Sequence, residues 1–423
     1  MDNNIVCHIK LNRPAMSGFL IPECSGRCSQ MQGSRMKKRK KYVIIEQKGK
    51  RSKKMIKYFE EIEDTRQQWK IKYQLSEVII ITIIAVAAGA ENWNEIALYC
   101  KGKIEMFREK YHLKLENGTP TDDTFQRIFA IINPEQFEKC FRSWVNAEFH
   151  IEEQEIISLD GKTICGSRYD DYKHIHIISA WANKSGIVLG QKRVDEKSNE
   201  IPAVPELLDM IEVENCVFTS DAMSCQKKTV EKIIEKNCDY VICLKGNQEK
   251  LHENVRLYFE TALADPQFFE FEKGKPQIEK GHGRIEKRQY FLSTEIDGFV
   301  NQEQWKGITA IGMVRSSRII NDVETTEDRY YITSLSDISQ FAKAARMHWG
   351  IENQLHWCLD MNFNEDRCRC RVDNSGENLA VIRHIALNLY KAFNSVKLSM
   401  KAKRFRCSFD DDFLFSVISN KLF

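Results

Sequence analysis

The pattern of apolar and polar positions changes character along the chain. Over residues 56–150 apolar positions recur at helical spacing, most clearly in 76–90, 92–100 and 125–130. A turn at 118–123 carries Thr and Asp residues that can cap a helix starting near Thr124. Asn133-Pro134-Glu135 predicts the next helix, with proline at its first position. This stretch reads as a small all-α domain. Its run 78–88 is strongly apolar, but it is internal and shorter than the about 20 residues of a membrane span, so it predicts a buried core helix.

From Glu155 the texture becomes that of strands. Residues 156–160 form a short apolar strand ending in Asp160. Two β-rich runs, 174–181 and 186–194, flank the turn signal Asn183-Lys184-Ser185-Gly186 and complete an antiparallel meander. A helix over 201–212, a strand over 215–220 reaching Asp221, an amphipathic helix over 226–236 and a strand over 240–244 follow. The order is β-β-β-α-β-α-β, then a long segment, then a helix around Glu352. That is the RNase H-like order, in which the first and fourth strands lie side by side and bring Asp160 beside Asp221. Between 245 and 334 the strands 289–292, 307–314 and 329–333 have polar connections and read as an inserted, mostly β segment. No internal repeat is visible.

The fold class expected is therefore α/β: an RNase H-like catalytic core at 151–395, a helical N-terminal domain at 56–150, and a β-rich insertion at about 246–334, before the last acid. Residues 396–423 read as a C-terminal tail. Residues 1–55 read as a basic, poorly ordered extension.

Charge sharpens this picture. The formal net charge is +3, yet about a dozen Lys and Arg fall between Arg35 and Lys57 with Glu46 the one acid among them. A basic arm on a near-neutral body suits phosphate binding; a solvated tail that binds nothing specific is the plainer reading. The 42% apolar content and eight prolines fit a chain with a real core. Fourteen cysteines are scattered, mostly singly, inside apolar runs, and read as small hydrophobes in a reducing compartment. Cys24 and Cys28, with Cys7 and His8, and the pair Cys368 and Cys370 read as incidental thiols, since structural zinc needs four suitably spaced ligands. No segment reads as a signal peptide, so a soluble cytoplasmic protein is expected.

Phosphodiester transfer by two divalent cations needs hard oxygen ligands within reach of both ions, which sit about 3.5–4 Å apart. Asp160 and Asp221 at strand ends and Glu352 on a covering helix are candidates. Each acid alone is weak evidence; three in this order on these elements is stronger.

The chain also resembles a known family, the IS4-like DDE transposases, and within it the ISAs1 group with its H-repeat-associated proteins. The likeness runs from about Tyr58 to about Leu389. It is carried by Ser158-Leu159-Asp160-Gly161-Lys162-Thr163, Glu196-Lys197-Ser198-Asn199-Glu200-Ile201-Pro202, and Thr219-Ser220-Asp221-Ala222-Met223-Ser224-Cys225-Gln226. Leu244-Lys245-Gly246-Asn247-Gln248, Gly281-His282-Gly283-Arg284-Ile285-Glu286, and His348-Trp349-Gly350-Ile351-Glu352-Asn353 with Leu355-His356-Trp357 extend it. The wider family pattern Y-(2)-R-(3)-E-(6)-K is not met: Ala345, His348 and Leu359 stand at its other positions.

The resemblance implies a DNA transposase of an insertion sequence, with Asp160, Asp221 and Glu352 as catalytic and metal-binding residues. It implies two Mg²⁺ or Mn²⁺ ions per site, double-stranded DNA partners (terminal inverted repeats and target), and at least a homodimer to hold two ends. Lys162, Lys245, Asn247, Arg284, Arg346 and His348 are the candidate DNA contacts. Rival readings are a nuclease of the same fold that cuts without joining, and an inactive DNA-binding relative, against which the intact acids count. A zinc site on His348, Glu352 and His356, spaced by four, is a further alternative. Trp349 and Trp357 are expected in the core rather than as base-stacking platforms.

Overall fold

The structure is a computed structural model; it describes residues 54–168, 174–194, 200–281, 283–298 and 301–423. The basic arm up to residue 53, most of the stretch beginning at Glu196, and His282 lie outside the described residues.

The first helices follow the sequence signals. Lys54–Phe59 (α1) leads to Leu75–Ala87 (α2), whose residues are nearly all buried. A helix apolar on every side belongs inside, and α2 is the centre of the helical layer. Trp93–Gly102 (α3) is capped by Asn92, whose side chain accepts from the Glu95 amide at 3.0 Å. Ile104–Tyr111 (α4), Asp122–Ile131 (α5) and Pro134–Glu148 (α6) complete the layer. Proline opens α6, and the Asn133 side chain caps it. At the start of α5 the Thr121 side chain makes no cap; its hydroxyl lies 3.0 Å from that of Thr124 instead.

Among the described residues ten strands form one sheet. Ile156–Ile164 (β1), Ile175–Ala182 (β2) and Ile187–Val194 (β3) form the antiparallel meander. Glu200–Met210 (α7) crosses to Val217–Ser220 (β4), which runs parallel to β1. Lys227–Glu235 (α8) then leads to Asp239–Leu244 (β5), parallel to β4. After Glu249–Ala264 (α9) come Glu272–Lys273 (β6), Gln277–Gly281 (β7), Arg284–Ser293 (β8), Ala310–Ile320 (β9) and Val323–Thr333 (β10). β10 pairs antiparallel with β5, so this segment prolongs the same sheet. The order is β3-β2-β1-β4-β5-β10-β9-β8-β6, with β7 on β8.

Ile338–Met347 (α10) covers one face of the sheet, its Phe341 seated among Tyr290, Ala310 and Tyr331. A Cβ on Gly312 would stand 2.3 Å from the Phe341 ring, so the missing side chain is what lets α10 lie this close. The helical backbone continues through a π-helical turn, Ile351–His356, into Trp357–Phe363 (α11). Ser375–Ala392 (α12) is buried over almost its whole length and packs against α2. The segment read as a tail holds two helices, Met400–Cys407 (α13) and Asp411–Leu422 (α14). Phe413, Leu414, Val417, Ile418 and Leu422 tie α14 into the core shared with α1, α2 and α12. Among the described residues no helix is long and apolar enough to cross a membrane.

Candidate active site

Asp160 and Asp221 meet because of strand register. The parallel ladder between β1 and β4 ends at the pair Leu159 and Ser220, and the two aspartates are the next residues along. β4 stops there, whereas β1 runs on to Ile164 with Asp160 opposite Ser179 of β2. The expectation that the first strand ends at its carboxylate is thus corrected: antiparallel pairing with β2 carries it onward. Glu352 comes from the π-helical turn beyond α10. Such a turn is rare within a helix and recurs at functional sites.

The electrostatics register the proximity. Burial, then the Asp221 charge, push the Asp160 carboxyl up to about 7, with Glu352 adding to the rise. Glu352 is raised by its partial burial and by Asp221. Asp221 is lowered, chiefly by a hydrogen bond from His348, with Lys245 and Arg329 helping. Three carboxylates that repel one another in a partly buried place form a donor set suited to a hard divalent cation. Among the described residues no three His, Cys, Asp or Glu close into a finished metal cage. Mg²⁺ does not require one, since it keeps waters and takes one or two carboxylates together with substrate phosphate.

The histidines of the helix divide rather than converge. His348 Nε2 lies 3.4 Å from Asp221 Oδ1, and His356 Nδ1 lies 3.5 Å from Asp160 Oδ2. Burial, then the nearby Lys162 charge, hold His356 down at about 4, so it is neutral at physiological pH. A zinc site on His348, Glu352 and His356 is not formed, because each imidazole turns to a different aspartate.

The expected DNA contacts fare differently. Lys162 is enclosed: its side chain is 11% exposed and its Nζ lies 2.8 Å from Asp360 and 2.5 Å from Asp366. Lys245 is exposed and stands near enough to Asp221 to lower it. Asn247 Nδ2 donates to the Ala222 carbonyl at 2.6 Å and ties the loop after β5 to the loop after β4. Arg284 pairs with Glu286 at 2.8 Å and Arg346 with Glu279 at 3.1 Å. Both line a groove of about 240 Å³ that also takes in Arg329, Trp349 and Asn353, next to Glu352. The sequence reading passed over Arg329, whose guanidinium lies 5.0 Å from the Trp349 ring, helps to lower Asp221 and offsets part of the rise of Glu352. A strand arginine among many surface charges gives no signal of its own. Trp357, expected in the core, is 59% exposed.

The chain belongs to the DDE transposase family. Residues 152–389 match the family described as Transposase DDE domain, and residues 56–145 match the DDE_Tnp_1-associated family. "Putative transposase YncI" of Escherichia coli O157:H7 is 38% identical over 86% of this chain and 94% of its own length. "H repeat-associated putative transposase YhhI" of Escherichia coli strain K12 is 35% identical over 87% of this chain and 98% of its own. The structure of a piggyBac transposase synaptic complex with hairpin DNA overlaps 85% of this chain and 80% of that one at TM-score 0.37 and 9% identity, too distant to bear on the site. The chain is an ISAs1-type insertion-sequence transposase, an enzyme that cuts and transfers DNA.

Proposed function

We propose that this transposase cuts the terminal inverted repeats of its element and joins the freed 3′ ends to target DNA at one site, formed by Asp160, Asp221 and Glu352. The reading takes the catalytic domain as RNase H-like, on the strand order β3-β2-β1-β4-β5. The observation that carries the site is the register of β1 and β4, which sets two aspartates side by side. Asp160 and Asp221 would hold Mg²⁺ or Mn²⁺ on the rigid sheet, and Glu352 would complete a second position from the helix. A bound pair of such ions supplies an activated oxygen nucleophile and neutralises the phosphate.

The chain's own side chains do the rest. Lys245 and Arg329 place positive charge beside the acids, where a scissile phosphate would sit. The groove of Arg284, Arg329 and Arg346 continues that field along the sheet and would follow a DNA backbone. Two ends in one complex call for at least a homodimer, acting on chromosomal DNA in the bacterial cytoplasm.

The test uses an inverted-repeat duplex with wild type and Glu352→Gln. Glutamine keeps size and one acceptor but loses the charge. Cleavage and strand transfer should fall well beyond the roughly 10–100-fold that a supporting residue costs, while the gel shift persists. Near-normal cleavage by the variant would remove Glu352 from the site and make Glu365 the next candidate. Cleavage without joining by the wild type would make the protein a nuclease.

A further inference from the structure

A file of buried polar side chains runs beneath the acids. Asn183, which follows β2, donates from Nδ2 to the Ile156 carbonyl at 3.0 Å and to Ser158 Oγ at 2.8 Å. Ser158 Oγ lies 3.0 Å from Thr219 Oγ1, and Thr219 Oγ1 lies 3.0 Å from His348 Nδ1. His348 Nε2 then faces Asp221 Oδ1 at 3.4 Å. Asn183, Ser158 and Thr219 are all buried. Such groups are costly to bury unless partnered, so a core that keeps them has a use for their bonds.

The two ends of this file have a definite direction. A carbonyl can only accept, so the Asn183 atom facing Ile156 is the NH₂, and that NH₂ also donates to Ser158. A carboxylate can only accept, so His348 Nε2 carries the hydrogen that points at Asp221. Thr219 Oγ1 shares its bond with His348 Nδ1, and its oxygen and that of Ser158 share the bond between them. The Ser158 oxygen also accepts from Asn183. The bonds form one continuous file from the core to Asp221, and bonds in such a file polarise one another.

Its placement is the second observation. Ser158 stands two residues before Asp160 on β1, Thr219 two before Asp221 on β4, and His348 four before Glu352. Residues two apart in a strand share a face, and residues four apart in a helix lie one above the other. The file thus links the three elements that carry the acids, beneath the acids themselves.

We propose that Thr219 and His348, oriented by Ser158 and Asn183, are positioning residues that fix the rotation of the Asp221 carboxylate and the seat of the Glu352 helix. Their part is to act through Asp221. The inference rests on the reading of Asp160, Asp221 and Glu352 as cation ligands. Partners that orient a ligand from behind are worth about 10–100-fold in metal affinity.

The test is Mn²⁺ binding to the full chain without DNA, followed by the electron spin resonance of free Mn²⁺, with melting temperature recorded alongside. Thr219→Val keeps the shape and removes the hydroxyl; Thr219→Ser keeps the hydroxyl. The expected result is Mn²⁺ binding about 10–100-fold weaker for Thr219→Val and close to wild type for Thr219→Ser. Should Thr219→Val not fold, Ser158→Ala with Thr219→Val carries the test, because removing both hydroxyls leaves neither unsatisfied. Asp221→Asn is the reference. If it loses Mn²⁺ while the folded valine variant binds like wild type, the positioning file is overturned and the ligand assignment stands. The file is equally overturned if serine and valine lose binding alike. If Asp221→Asn binds Mn²⁺ like wild type, the ligand assignment fails and the inference with it.

Discussion

Gly350 and Asn183 touch so closely that a Cβ on the glycine would stand 1.9 Å from Asn183 Oδ1. Two residues further on in the same helix is Glu352, so this contact sets how near the third acid comes to the sheet. Asn183 cannot easily turn aside, because its Nδ2 is held by Ile156 and Ser158.

Gly350→Ala should therefore act against the usual trend. Alanine in a helix is ordinarily worth about 1 kcal/mol over glycine. Here it should destabilise by about 1–3 kcal/mol, the cost of overpacking, and reduce DNA cleavage more than end binding. Adding Asn183→Ala should recover part of the lost stability, a non-additivity that chemical denaturation of the four proteins would show. Simple additivity would place the clash elsewhere.

Lys162 and Lys245 should separate stability from DNA binding. Lys162 neutralises Asp360 and Asp366 and lies 3.9 Å from the buried Glu365. Lys162→Ala leaves these acids facing one another and should cost roughly 3 kcal/mol, with the salt slope of DNA binding unchanged. Lys245→Ala should leave stability within about 0.5 kcal/mol and lower the salt slope by about one. Melting curves and gel shifts at several salt concentrations decide; the reverse pattern would return Lys162 to the DNA surface.

Acid should weaken the fold in part through His384. Burial, then the charges of His356 and Arg383, hold this α12 imidazole down at about 3. A depressed pKa contributes stability that is complete above the unfolded value near 6.5 and is lost as pH falls toward 3. Asp160 and Glu365, pushed up to about 7, act oppositely over this range, so the informative quantity is a difference between proteins. His384→Leu should lose up to about 1.4 kcal/mol less per pH unit than wild type between pH 6 and 4. Parallel stability profiles would show that His384 is not buried neutral.

The first five strands and their order were legible in the sequence, because period-two patterning and turn residues are local; β6 and β7 and the continuation of the sheet past β5 were not. The sequence also made Asp160, Asp221 and Glu352 stand out, since they close recognisable motifs. Partnerships across the chain were hidden. Lys162 sits in a motif with the first acid, and nothing near it announces that Asp360 and Asp366 will enclose it. Thr219 and His348 are separated by 129 residues and meet only through the sheet–helix packing. The π-helical turn at Glu352 follows ordinary helix-forming residues and leaves no periodic trace. Trp357 shows the limit of composition: a tryptophan is usually buried, yet this one is exposed.

The most direct test of the central claim is the anomalous scattering of Mn²⁺ in crystals of the transposase bound to its uncleaved end DNA. The account predicts two peaks about 3.5–4 Å apart, both within ligand distance of the DNA phosphate, with Asp160 and Asp221 on one and Glu352 on the other. Peaks held instead by His348 or His356, or peaks away from all three acids, would contradict it.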